Sequence, residues 1–327
     1  MNRDSESGQL LRCSRRAMAT LFEILFPVQT DNAAAAANEC FDLVDELEAQ
    51  LTVYRDDSEV SLLNRRAADE AVEVDPRLFD LLRMAERLTA ETWGAFDVTA
   101  GPLIKTWGFF RRDGRVPTPA ERQQALDLVG MRHVELNAES RSVRFRQNGV
   151  EVNFGSIGKG HALDRAAEVL DQRGIVSALL HAGGSSVRAL GRQPGEQRGW
   201  PVGIRHPWED GRRIAIVHLQ DRALGTSAAT YQHFEYNRRR LGHLLDPRSG
   251  RPAEGIASAT ALAPNAAEAD ALATAFFILG VEKTRLYCAA RPTIGAVLLP
   301  EGAEMPVLIG TAADEVALPL APARTTP

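Results

Sequence analysis

Three cysteines in 327 residues are too few, too scattered and odd in number to form a disulfide framework. Cys13, Cys40 and Cys288 also lack metal-ligand spacing, so they read as free thiols in a reducing compartment. The histidines His133, His161, His181, His206, His218, His233 and His243 form no H-x-x-x-H or H-E-x-x-H pattern, which argues against a zinc site. No run of about eighteen apolar residues occurs, so no membrane-spanning helix is expected. The segment Met1 to Ser7 lacks the apolar core of a signal peptide. That points to a cytoplasmic protein, or to a periplasmic one if the true start lies upstream. An excess of positive charge is missing too: 38 Lys and Arg stand against 43 Asp and Glu, a net charge of -5. Bulk electrostatics therefore give no support to a nucleic-acid partner.

What remains is ordinary globular material, with 44% hydrophobic and 25% charged residues and enough chain for a substantial core. Residues 20–28 read as a mostly buried strand. Cys40, Leu43, Val44, Leu47 and Leu51 fall at helical spacing and predict an amphipathic helix over 33–51. A second helix starts with Asp75 as N-cap and Pro76 in its first turn and ends near Gly94. Thr118-Pro119-Ala120-Glu121 carries the reciprocal capping pattern of a third. Strands are expected at His133–Leu136, Ser142–Arg146 and Val150–Phe154, with Asn148-Gly149 as a hairpin turn. A helix over His161–Arg173 stops at Gly174. Further strands follow at Val176–His181, Val202–Arg205, Ile214–Leu219 and Ser258–Ala263, before a helix over 266–280. The tail from about Leu320 is expected to fray. No repeat or linker divides the chain and no strict βαβ rhythm appears. The expectation is one α+β domain with two lobes around a site.

Four stretches carry chemistry. Gly155-Ser156-Ile157-Gly158-Lys159-Gly160 would bring backbone amides and the Lys159 charge to a helix N-terminus, which favours a phosphate. It is not a P-loop, because only two residues separate its glycines and no Ser or Thr follows the lysine; a ligand-free tight connection is the alternative. Asp270 and Thr274, four apart at a helix start, share a face and offer hard oxygen ligands suited to Mg²⁺. On this pair alone, a first-turn acid favoured by the helix dipole with an unremarkable threonine at i+4 is the stronger explanation. His243, entering Leu244-Leu245-Asp246-Pro247-Arg248-Ser249-Gly250, can serve as a general base or be a plain surface histidine. Gly94–Leu103 sets Ala95, Phe96 and Asp97 among small residues, where a flat ring can approach the backbone or the chain can simply leave its helix.

Taken in order, these pieces resemble the ApbE family, the FAD:protein FMN transferases. The resemblance rests on Met18-Ala19-Thr20, Leu51–Asn64, Gly94–Trp107, Val152–Asp164, His181–Gly184, Thr226-Ser227, His243–Gly250 and Ala269–Ala275. It covers residues 14–312, leaving 1–13 and 313–327 as terminal extensions. It implies a T-fold-like α+β architecture, a single domain with two lobes around an FAD cleft. It also implies Mg²⁺-dependent transfer of FMN from FAD to a threonine or serine hydroxyl of a target flavoprotein, releasing AMP. By matched position, Met18, Tyr54, Ala95, Phe96, Asp97, Asn153, Lys159 and Leu244 would contact FAD. Asp270, Thr274 and the Ser156 carbonyl would hold Mg²⁺, and His243 would deprotonate the acceptor. Asn153, Ser156, Ser185 and Ala228 depart from the family's usual acid, glycine, acid and glycine. The alternatives are an FAD pyrophosphatase giving FMN and AMP, and a non-catalytic FAD-binding protein.

Overall fold

The computed structural model describes residues 9–111, 113–229, 233–236 and 239–318. The start of the chain and the tail from Leu320 lie outside these residues. Eight strands form one sheet whose spatial order follows the chain. They are β1 (Leu10–Ala17), β2 (Thr20–Pro27), β3 (Ala178–Ala182), β4 (Ser186–Leu190), β5 (Ala223–Ala228), β6 (Ile256–Ala263), β7 (Gly295–Pro300) and β8 (Val307–Gly310). Every neighbouring pair is antiparallel.

One face of the sheet is covered by α1 (Ala33–Leu51), α3 (Gly158–Gln172) and α4 (Ala266–Ala289), with α2 (Pro76–Glu91) packed further out. The other face is covered by a small sheet of Trp200–Arg205, Arg213–Leu219 and Val316–Ala317, which closes a second core around Leu179, Trp200, Val217 and Leu299. Covered on both sides, β6 is buried at every position and so reads as continuous small and apolar residues rather than an alternation. The mixed helix-and-sheet class matches the α+β expectation. Among the described residues no helix is long and apolar enough to cross a membrane.

Local signals located the early elements well. α1 buries Cys40, Phe41, Val44, Leu47 and Leu51 along one stripe, and each large apolar side chain taken out of water there contributes about 1.5–3 kcal/mol. Asp75 caps α2 by accepting from the Arg77 amide, and Thr118 and Glu121 form the expected capping box.

Val150–Phe154 is not a strand. Its alternation is real, since Val150, Val152 and Phe154 are buried. Its backbone, however, pairs with the Asn64 side chain (Val152 N to Asn64 Oδ1, 2.8 Å) and with a loop (Asn153 N to the Val98 carbonyl, 2.7 Å). Asn148-Gly149 therefore turns the chain without closing a hairpin. α3 begins at Gly158, not at His161, and α4 runs on to Ala289 through a break at Gly280, whose φ of 71° only glycine adopts cheaply.

His161, in the first turn of α3, is buried, and burial with help from Arg165 and Arg77 pushes its imidazole down to about 4. The unfolded chain takes up this proton near 6.5. The stabilisation by neutral His161 is thus complete above about pH 6.5 and is lost as pH falls toward about 4, up to about 3 kcal/mol in all. His161→Gln should flatten the dependence of the urea midpoint on pH in that window. An unchanged slope would show that the acid sensitivity lies elsewhere.

Candidate functional site

A cavity of about 520 Å³ opens between the helix-covered side of the sheet and the loops above it. Its walls come from the β1–β2 turn, the segments around 54, 95–104 and 153–159, the β3–β4 turn, the end of β5, residues 243–247, and α4.

The deepest wall is set by how α4 starts. Asn265 caps it, its side-chain oxygen accepting from the Glu268 amide at 2.8 Å. Asp164, on α3, accepts from the Ala266 and Ala267 amides at 2.8 Å each, so a carboxylate holds the positive end of α4. Two glycines let the backbones approach. A Cβ on Gly160 would lie 2.1 Å from the Ala266 carbonyl oxygen, and one on Gly225 would lie 2.5 Å from the Ala269 carbonyl carbon. Neither contact can yield by a side chain moving. Gly160→Ala is expected to cost about 1–3 kcal/mol by overpacking and to push α4 off α3. A urea unfolding curve superimposable on that of the parent would contradict this.

This close approach carries Asp270 to the N-terminus of α3. Asp270 is buried, and its Oδ2 accepts from the Gly160 amide at 2.8 Å and the Ser186 hydroxyl at 2.9 Å. Burial pushes the carboxyl up to about 6, although Lys159, Ser186 and Gly160 pull against it. Among the described residues no hydrogen bond reaches Oδ1. Because the Gly160 amide is taken by Asp270, it does not close the helical turn onto Ser156, and no backbone amide among the described residues donates to the Ser156 carbonyl. One turn along α4, Thr274 Oγ1 lies 3.2 Å from Ser227 Oγ and 3.4 Å from the Asp270 carbonyl.

Asp270, Thr274 and Ser156 all line the cavity. A carboxylate oxygen, a hydroxyl and an unpaired carbonyl form an all-oxygen set that fits a hard divalent cation completing its shell with water and phosphate. Among the described residues no group of three or more His, Cys, Asp or Glu is placed to hold a metal ion. Lys159 borders the same wall, and its ammonium donates to Ser185 Oγ at 3.1 Å.

Across the cavity, His243 follows the hairpin of His233–Tyr236 and Arg239–Gly242. It is half-buried and edge-on to Phe109, with ring centroids 6.4 Å apart. Leu244 lines the wall beside it, its carbonyl accepting from Ala253 at 2.8 Å. At the other end, Met18 and Ala19 form the two-residue turn between β1 and β2 with φ of 48° and 59°. Left-handed backbone at two residues other than glycine is strained, and strain of this kind gathers at ligand sites. Tyr54 stands at the rim, 73% exposed. Asn153 Oδ1 accepts from the Gly155 amide at 2.8 Å, which leaves its NH₂ for a ligand.

Ala95, Phe96 and Asp97 line the wall together, but the Asp97 carboxylate is occupied from within. Oδ1 accepts from the Thr99 amide (2.8 Å) and hydroxyl (2.6 Å), and Oδ2 from the Met131 amide (3.2 Å). Burial raises this carboxyl, with those donors opposing. Asp97 thus shapes the loop, clasping it to the turn at Gly130, whose amide donates to Thr99 Oγ1 at 2.6 Å.

The structure therefore brings every site residue expected from the sequence onto one cavity. Sequence reasoning missed Thr99 and Ser186. The Asp-x-Thr spacing was a usable signal for the first, since such residues bind their own backbone two positions on. Ser186 had none, because its meeting with Asp270 depends on the sheet.

The family model described as "ApbE family" matches residues 18–298. The FAD:protein FMN transferase of Treponema pallidum (strain Nichols) is 34% identical over 279 residues, covering 81% of this chain and 77% of its own length. That of Salmonella typhimurium is 29% identical, covering 83% and 79%. Among solved structures, the ApbE protein of Thermotoga maritima aligns with a TM-score of 0.85 at 29% identity, covering 94% of this chain and 99% of its own. The flavin transferase ApbE from Vibrio cholerae aligns at 0.82 and 26%, with the same coverage.

Proposed function

Since this chain belongs to the ApbE family, we propose that its cleft transfers FMN from FAD to a threonine or serine hydroxyl of a target flavoprotein, through the residues described above. The acceptor oxygen forms a bond to the FMN phosphorus, the pyrophosphate P–O bond breaks, and AMP leaves. His243 takes the hydroxyl proton. Lys159 offsets phosphate charge, and the N-terminus of α3 offers a favourable potential to the same group. Tyr54, Phe96 and the small surface at Met18 and Ala95 receive the flat and apolar parts of FAD, while Asn153 offers an amide donor and Leu244 an apolar wall. Asp270, Thr274 and the Ser156 carbonyl would hold Mg²⁺, which when bound neutralises pyrophosphate charge. The unpaired Cys13, Cys40 and Cys288 support a cytoplasmic location.

The observation that carries this reading is the exchange at Gly160. Its amide goes to Asp270, which fixes the carboxylate and leaves the carbonyl of Ser156, a residue lining the same cavity, without a backbone donor among the described residues. Mere storage of a flavin has no use for that arrangement. The test is incubation with FAD, Mg²⁺ and a flavoprotein domain bearing an exposed target threonine, followed by mass spectrometry. An FMN adduct on the acceptor is expected. FMN and AMP without adduct would replace transferase by pyrophosphatase, and intact FAD would leave only a binding protein.

A further inference from the structure

The turn Trp107–Phe110 places two consecutive aromatic rings against two different parts of the cleft. Phe110 stacks on Tyr54, with ring centroids 4.8 Å apart and planes 19° apart. Phe109 is buried, lines the cavity and stands edge-on to His243 at 6.4 Å and 72°. The turn itself is tied down on every side. Trp107 is buried, and its indole N–H donates to the Gly250 carbonyl at 2.9 Å, anchoring it to the segment that follows His243. The Arg115 amide returns to the Trp107 carbonyl at 2.9 Å and the Asp113 amide to Gly108 at 3.2 Å. Gly108 has a φ of 75°, and a Cβ there would meet Asp113 Oδ1 at 2.8 Å. Lys105 stands 5.4 Å from the Phe110 ring centroid while its ammonium donates to Glu151 at 2.7 Å. Phe109 is braced from behind by Phe234 at 5.6 Å.

Tyr54 needs such support, and His243 gains a packing contact from the same turn. At 73% exposure Tyr54 has no core to fix its ring, and its backbone amide donates to Thr52 Oγ1 at 3.2 Å. A ring free to rotate loses entropy when a ligand stacks on it, whereas a ring already stacked on its far face loses less. His243 follows a hairpin, and the buried Phe109 ring packs against its imidazole and restricts its tilt on that side.

We propose that the Trp107–Phe110 turn is a positioning element for the transfer: Phe110 fixes Tyr54 as a flat wall for a ring of FAD, and Phe109 fixes the His243 imidazole that faces the acceptor. The inference rests on the reaction assigned above and adds a division of labour within it. Neither phenylalanine is a catalytic residue. Each acts through a neighbour, so the two should separate kinetically.

Phe110→Ala should weaken FAD binding roughly 3- to 10-fold, the range expected for one lost stacking contact, with kcat close to the parent value. Phe110→Tyr should restore affinity. In a Tyr54→Ala background, Phe110→Ala should cost almost nothing more, because the two act as one unit. Phe109→Leu keeps an apolar side chain in the small core while removing the ring, and should lower kcat about 10-fold at saturating FAD without changing the FAD dissociation constant. Binding is read from flavin fluorescence, and kcat from adduct formation on the acceptor domain. Unchanged FAD affinity in Phe110→Ala, or additive losses in the double variant, would overturn the stacking wall. A joint loss of affinity and kcat in Phe109→Leu would reduce that residue to packing. A parent protein that binds FAD but transfers nothing would sink the assigned reaction and the Phe109 role with it. The Tyr54–Phe110 cycle would still decide the wall on binding alone. A parent that does not bind FAD would remove both.

Discussion

Asp270→Ala is expected to lower Mg²⁺-dependent transfer by about 10³-fold or more, because a metal-borne charge effect is worth several kcal/mol in a transferring phosphoryl group. The substitution does more than delete one ligand. With the carboxylate gone, the Gly160 amide has no partner at Asp270 and is free to donate to the Ser156 carbonyl, closing the first turn of α3. One change therefore removes two of the three oxygens. Asp270→Asn separates these effects, since an amide oxygen still accepts from Gly160 and Ser186 and the Ser156 carbonyl stays free. It should lose Mg²⁺ affinity through charge alone while keeping the geometry. Without added metal, the Asn variant should be as stable as the parent or more so, since burial already pushes this carboxyl up to about 6 and a buried charge without its counter-ion is costly. The checks are Mn²⁺ binding by electron paramagnetic resonance, urea unfolding without metal, and adduct formation by mass spectrometry. Full transfer in Asp270→Ala would remove the metal assignment.

The elements and residues that sequence located well are those whose causes are local. The α1 stripe, the Asp75 cap and the Thr118–Glu121 box act within one or two turns, so spacing and residue type suffice. Val150–Phe154 has a strand's alternation, but its hydrogen bonds go to Asn64 and Val98, over eighty and over fifty residues away in one case and the other, and no local pattern reports that. The glycines at 158 and 160 look like a turn because glycine usually signals one. Here Gly160 is inside α3 since the Ala266 carbonyl occupies the space of its missing side chain. The same contrast holds at the site. Asp270, Thr274 and His243 were legible as residue types that suit oxygen coordination and proton transfer, and the family resemblance placed them together. Ser186 and the aromatic pair at 109 and 110 were not, because their roles arise only when the sheet and the loop bring distant partners to them.

His243→Ala is expected to reduce transfer about 10²- to 10⁴-fold, the usual range for a lost general base, with FAD affinity kept within about 2-fold of the parent if, as proposed, the ring serves the acceptor hydroxyl. Three other ionisable groups on the cavity are tied to protein partners: Asp97 to Thr99 and Met131, Asp270 to Gly160 and Ser186, and Lys159 to Ser185. An imidazole is the side-chain type whose ordinary range lies nearest neutral pH, which suits it to accept a hydroxyl proton. The stacking proposed at Tyr54 and the coordination proposed at Asp270 use other lining residues, so losing the imidazole should leave substrate binding intact and slow only the step in which the hydroxyl gives up its proton. Added imidazole should restore part of the rate if the space left by the side chain admits it, and should do nothing for Asp270→Ala. Rates are read as adduct formed per minute at saturating FAD and Mg²⁺, and affinity from flavin fluorescence. A parent-like rate would take proton transfer away from His243, and a rate lost together with FAD affinity would make the ring part of the binding wall rather than a base.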